Sequence, residues 1–167
     1  MSQLVVLHGV ESVGKSTLAA QLAERLGAEW VPEYGRAYCE EHGTDLEPRD
    51  LVAIAEGQQA MIEAARETAG PVLISDTDWL MTSAWNRLLF DQPLSGAEYP
   101  IADLYLHLPP DLPWVDDGLR FVGSDHERKR FDAICRDELG RRGARVAVLD
   151  APQDERLEQA LAVISDM

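Results

Sequence analysis

The sequence predicts an α/β fold whose parallel sheet of five strands is covered by helices on both faces. Three observations carry that expectation. Short apolar runs alternate with stretches of helical periodicity throughout the 167 residues. Strands buried on both faces read as continuous apolar runs, and their parallel pairing requires helical crossovers. A glycine-rich stretch, HGVESVGKST, follows the first run directly, and acidic residues stand at the ends of the second and third runs. Those carboxyl ends are where open α/β sheets bind their ligands.

Taken in order, Leu4–Leu7 reads as a buried strand and Thr17–Leu26 as the helix after the glycine loop. Residues 28–32 form a second short strand candidate, followed by a short helix over 36–42. Pro48 stands at a helix start, and Leu51, Ile54, Ala55, Ile62 and Ala65 keep helical spacing to about Thr68. Gly70-Pro71 then breaks the chain before the strand Val72–Ser75 and a helix from about Trp79 to Leu89. A Pro/Gly/Ser loop spans 91–100, and Leu104–Leu108 and Val146–Leu149 are two further strands. Between those strands lie an irregular stretch and a charged helix from about Glu127 to Arg142. The last helix presents Leu157, Leu161 and Ile164 on one face. No repeat or second domain is visible, so the expectation is one domain over 1–167.

Composition removes several classes of function. A net charge of −15 disfavours nucleic acid or an anionic membrane as partner. No stretch approaches the roughly 20 apolar residues of a membrane span. The four-residue apolar run at the N-terminus has no basic lead and does not read as a signal peptide. Cys39 and Cys135 have no CxxC or Cys/His companion, which fits reduced thiols in a cytoplasmic protein. Charge is unevenly spread: residues 120–145 hold eight of the fifteen Lys/Arg against five Asp/Glu, a local +3 that leaves −18 elsewhere. A solvated helix face explains such a cluster, and so does the handling of an anion. Oligomeric state is left open.

The glycine stretch matches G-x-x-x-x-G-K-[ST] in full, with Gly9, Gly14, Lys15 and Ser16 in the fixed positions. The chemistry needs a backbone that wraps a polyphosphate with successive N–H groups, and glycines permit the turns. Gly9, Glu11, Ser12, Val13, Gly14, Lys15, Ser16 and Thr17 are therefore the expected nucleotide contacts, with ATP or GTP left open by the loop itself. Lys15 reaches the β/γ-phosphates and Ser16 ligates Mg²⁺ in such loops. Asp76, after the third strand, stands where a second Mg²⁺-orienting carboxylate belongs. Asp78 faces either the acceptor or the N-terminus of its own helix, and Trp79 adjoins it.

In VPEYGR, Glu33 is placed to accept a proton from a hydroxyl, Tyr34 to stack on a planar ring, and Arg36 to meet a phosphate or Glu33. In DDGLRFVGSDHERKRF, Gly118 and Gly123 bracket a segment carrying Arg120, Arg128, Lys129 and Arg130. That pattern suits a lid over about 114–130 whose arginines offset charge on a transferred phosphoryl group, Arg120 and Arg128 first among them. Trp30, Trp85 and Trp114 read as core. His8, His42, His107 and His126 form no cluster in the sequence, and His107 reads as a satisfied buried histidine.

Together, GVESVGKSTLA, VPEYGRAY, IAEGQQ, ISDTDWLMT and PWVDDGLRFVG resemble the kinase domain of the NadR-type NAD-salvage proteins, within the AAA_28-type P-loop kinases. The similarity runs from about residue 4 to 161. It implies the three-layer αβα sheet of nucleoside and nucleotide kinases. It also implies ATP-dependent phosphorylation of nicotinamide riboside to its mononucleotide. Gly14, Lys15 and Ser16 carry over as ATP and Mg²⁺ contacts, Glu33, Asp76 and Asp78 as acidic groups around the riboside, and Arg120 and Arg128 as lid residues. The adenylyltransferase half and the DNA-binding segment of those proteins are absent from this sequence, so the expectation is the kinase part alone.

Either Glu33 or Asp76 draws the acceptor proton in this reading. A kinase for another nucleoside or a nucleotide fits the same residues. A nucleotide-dependent switch fits them less well: a guanine reader of the Asn-Lys-x-Asp type has no counterpart, since Asn86 is the only Asn and Arg87 follows it.

Overall fold

The computed structural model describes residues 1–11, 13–111 and 123–167. Five strands, β1 (Gln3–His8), β2 (Glu29–Val31), β3 (Val72–Asp76), β4 (Leu104–His107) and β5 (Val146–Val148), make one sheet in the order β2-β3-β1-β4-β5. All four pairings are parallel, as the alternation of strands and helices requires. The helices are α1 (Lys15–Leu26), α2 (Tyr34–His42), α3 (Pro48–Arg66), α4 (Trp79–Phe90), α5 (Asp125–Arg141) and α6 (Arg156–Ser165). Among the described residues no helix is long and apolar enough to cross a membrane.

The pleat of central β1 divides the core in two. Val5 and Leu7 point to one face and pack with Leu18 and Leu22 of α1, Phe131 and Cys135 of α5, and Ile164 of α6. Leu4 and Val6 point to the other and pack with Leu51, Ala55 and Ile62 of α3 and with Leu80 of α4. Each fully buried Leu or Ile contributes about 1.5–3 kcal/mol, so the doubly covered strand is the sheet's anchor.

Helix ends follow local chemistry. Gly27 terminates α1 in the left-handed region (φ 60), a conformation cheap only for glycine. Glu47 and Asp50 form a reciprocal capping box at the start of α3, with Pro48 in the first turn. Ser124 accepts from the Glu127 N–H and starts α5 at Asp125, two residues before the apolar pattern suggests. Similarly α2 begins at Tyr34 rather than Arg36. Because α5 already runs from Asp125, the C-terminal part of the predicted lid is helix. Residues 114–122 of that lid, with Trp114, Gly118 and Arg120, lie outside the described residues. Trp30 is not core: it lies on edge strand β2, 39 % exposed.

Candidate functional site

The carboxyl end of β1 turns at Gly9, whose φ is 145. A Cβ there would lie 2.6 Å from the Leu108 carbonyl oxygen, so this turn admits only glycine. The loop closes on Gly14, left-handed at φ 85, which is the N-cap of α1. Among the described residues no side chain caps α1, and no acidic residue occupies its first turn. Its N-terminal amides and the positive end of its dipole are thus left for an external anion. The Lys15 Nζ donates to the Gly9 carbonyl at 2.9 Å and the Val10 carbonyl at 2.8 Å, spanning the mouth of the loop. Gly9, Glu11, Val13 and the run 14–17 all line one cleft of about 290 Å³. Ser12 lies outside the described residues.

β3 lies beside β1 with Leu7 opposite Asp76. This register brings the Ser16 hydroxyl to donate to Asp76 Oδ2. The second oxygen, Oδ1, has no hydrogen-bond partner among the described residues, in a side chain only 1 % exposed. A hydroxyl and a buried carboxylate with an unused oxygen are hard donors that suit Mg²⁺. That ion is commonly held through one or two carboxylates plus substrate phosphates rather than by an all-protein cage. Accordingly, no group of three or more His, Cys, Asp or Glu able to hold a metal is found among the described residues.

The chain leaves β3 through Thr77, a non-glycine residue at φ 75 whose N–H donates to the Leu7 carbonyl at 3.1 Å. Such a conformation costs about 1–3 kcal/mol. It also breaks the alternation that would set Asp78 on the same side as Asp76. Asp78 is 2 % exposed and caps α4, accepting from the Leu80 N–H at 3.0 Å and the Tyr105 hydroxyl at 2.5 Å. Burial pushes its pKa up to about 6, although both bonds favour the ionised form. Asp78 therefore serves the helix terminus and does not line the cleft. Trp79 is buried in the core on the α3 side, under the Arg142 guanidinium 4.9 Å from its ring centroid. Of the two places open to Asp78 in the sequence the structure shows the helix terminus, and neither Asp78 nor Trp79 lines the cleft.

Glu33 precedes α2, makes no capping bond to it, and lines the cleft beside Arg36. Tyr34 does not line it. Its ring lies across Gly57 of α3, where a Cβ would clash with the ring carbons. A residue read as core lines the cleft instead: Trp85, backed by Phe131 at 4.3 Å between ring centroids. Leu46, Leu51, Ile54, Met81 and Leu89 complete an apolar chamber at this end.

Arg128 reaches back from α5 to the loop, donating Nη2 to the Glu11 carbonyl at 3.2 Å while only 2 % exposed. Lys129 and Arg130 face solvent. One turn on, Asp132 accepts from His107 Nε2 at 2.7 Å and from Arg136 Nε at 2.8 Å. Burial opposes ionisation of Asp132, but those bonds prevail and its pKa is lowered. His107 is thus the satisfied buried histidine expected. It is not isolated, however. His8 stands opposite it in the β1/β4 register, with the two Nδ1 atoms 3.4 Å apart. Burial, His107 and Lys15 hold the His8 pKa well below its usual value.

Sequence reasoning also missed Gln58, which lines the cleft while 2 % exposed. The signal was present: a glutamine interrupts the apolar stripe Leu51, Ile54, Ala55, Ile62 at a position that stripe should bury.

A five-stranded parallel sheet, a glycine cradle on its central strand and a serine–carboxylate pair beside it define a P-loop α/β fold of the nucleoside-kinase type. The family model AAA_28, described as an AAA domain, matches residues 4–156, and the chain belongs to that family. It is 33% identical, over 98% of its length, to the trifunctional NAD biosynthesis/regulator protein NadR of Salmonella typhimurium, and equally to that of Escherichia coli. It spans 42% of each of those proteins. A crystal structure of NadR protein in complex with NR superposes with a TM-score of 0.79 at 26% identity, covering 99% of this chain and 51% of that one. Deoxyadenosine kinase from M. mycoides shares the fold over 99% of this chain and 100% of its own, with a TM-score of 0.72 at 13% identity.

Proposed function

We propose that this chain is an ATP-dependent small-molecule kinase that phosphorylates the 5′-hydroxyl of nicotinamide riboside, with a cytoplasmic role in NAD salvage. The observation that carries the reading is that Glu33 and the phosphate cradle line one cleft whose far end is an apolar chamber holding Trp85.

The loop amides and the N-terminus of α1 receive the triphosphate. Lys15 exchanges the Gly9 and Val10 carbonyls, its partners in the free protein, for phosphate oxygens. Ser16 and Asp76 would hold Mg²⁺, which supplies charge neutralisation on the β- and γ-oxygens. Glu33 accepts the proton of the attacking hydroxyl, a contribution of about 10²–10⁴-fold. Asp76 is the weaker candidate for that proton, because its carboxylate is the one that would orient the metal. Arg128, held against the loop, and Arg120, by its place in the motif, offset charge on the group in transfer. An acceptor with a cationic pyridinium ring suits a cleft that offers the Trp85 ring and the Glu33 carboxylate. The similarity to NadR points the same way.

Incubating the protein with MgATP and a panel of ribosides and nucleotides, read by mass spectrometry for gain of one phosphate, tests both levels of the proposal. Product from nicotinamide riboside is the expected result. Product from a different acceptor only would overturn the riboside assignment, and acceptor-independent ADP release would overturn the kinase assignment.

A further inference from the structure

The two carboxylates of the proposed reaction sit on different strands, β2's exit turn and the end of β3, and one side chain is bonded to both neighbourhoods. Gln58 of α3 accepts from the Tyr34 N–H through Oε1 at 2.7 Å. Its Nε2 donates to the Pro32 carbonyl at 3.2 Å and to the Ser75 hydroxyl at 3.3 Å. Pro32 and Tyr34 flank Glu33, and Ser75 precedes Asp76. The Ser75 hydroxyl in turn donates to the Thr77 carbonyl at 2.7 Å, so Asp76 is bracketed as well. The orientation of the amide is fixed by chemistry, because a backbone N–H can only donate and a carbonyl can only accept. Buried at 2 % exposure, the amide uses three of its bonding sites on these partners. Gly57, next to it, makes room for the Tyr34 ring, so the turn carrying Glu33 lies flat on α3.

We infer that Gln58 is a positioning residue: its amide clamps the Glu33 turn to the Asp76 strand and thereby fixes the distance between the group that takes the acceptor proton and the group that orients the metal. It does not read the acceptor itself, since its amide is spent on protein atoms. The inference rests on the reading of Glu33 as proton acceptor.

Gln58→Met keeps length and apolar packing but removes all three bonds. Two measurements test it. In the free protein, hydrogen exchange at the Tyr34 amide should quicken by about 10-fold, the equivalent of one lost hydrogen bond. Exchange in α1 should be unchanged. With MgATP and the acceptor identified in the panel, kcat should fall about 10- to 100-fold, as for roughly an ångström of misplacement, while KM for ATP stays within about 2-fold. A merely structural role would lower Tm and leave kcat at low temperature unaltered. In a Glu33→Gln background, Gln58→Met should cost little more, because it acts mainly through that carboxylate.

Wild-type exchange at Tyr34, or wild-type kcat in Gln58→Met where Glu33→Gln is slow, overturns the clamp and leaves the reading of Glu33 intact. Wild-type kcat in Glu33→Gln overturns that reading instead. Should Gln58→Met fail to fold, Ser75→Ala removes the Asp76 side of the clamp alone. A kcat lowered by a few-fold with unchanged Tyr34 exchange supports the clamp, and an unchanged kcat refutes it.

Discussion

Replacing Asp78 by asparagine should change how stability depends on pH, by an amount that its burial sets. In the unfolded chain this carboxyl ionises around 3.8; in the fold burial raises the pKa to about 6. A raised carboxyl pKa means that ionisation is harder in the folded state, so above pH 6 the group costs stability. That cost fades as pH falls through 6 and is gone below 3.8. A shift of about 2 units at 1.36 kcal/mol each is about 3 kcal/mol. Asparagine is an equally good N-cap and can still accept from the Leu80 N–H, while its NH₂ can meet the Tyr105 hydroxyl oxygen. Any offset from those altered bonds is independent of pH.

The stability of Asp78→Asn relative to wild type should therefore improve by about 2 kcal/mol between pH 4 and pH 7.5, the rest of the shift lying below pH 4. Urea denaturation of both proteins across that range measures it. A difference that stays flat would refute the account of Asp78 as a desolvated cap. Since Asp78 does not line the cleft, the variant should also keep its KM for the acceptor, and a tenfold rise would return it to the substrate-facing role that the sequence suggested.

Lys15→Ala should abolish phosphoryl transfer while leaving the fold intact, because among the described residues its ammonium bonds loop carbonyls alone; circular dichroism and a coupled ADP assay check the two halves. Glu33→Gln should lower kcat by about 10²–10⁴-fold with ATP affinity retained, as measured by calorimetry. Gly9→Ala must displace the Leu108 carbonyl 2.6 Å away as well as strain its own backbone, so nucleotide binding should be lost in the same titration.

The sheet and its phosphate loop were legible because each is written in contiguous residues: buried strands as apolar runs, the cradle as glycines at fixed spacing. Asp76 was legible as the residue ending a strand. Asp78 was left between two places, cleft and helix terminus, because a strand's alternation carries past Asp76 only if Thr77 stays extended, and its positive φ is a tertiary outcome. Tyr34 was misplaced for a similar reason: its ring has its resting place on α3, 23 residues further along. The His8–His107 contact spans 99 residues and exists only through the β1/β4 register, which no local pattern encodes. Trp85 reads as core by its residue type and is a cleft wall backed by Phe131 of α5, a contact across 46 residues that no local pattern encodes.

The position of β1 at the middle of the sheet has a consequence for synthesis on the ribosome. Its neighbours are residues 72–76 on one side and 104–107 on the other, so the strand of this sheet that is made first waits for both partners across most of the fold. Until residue 107 has left the exit tunnel, an apolar strand paired on one side at most and the glycine turn behind it wait for partners. Such remote pairing is slow and exposes sticky surface. Nascent chains stalled before residue 104 should therefore be the ones that holdase chaperones retain, and release should coincide with the emergence of β4.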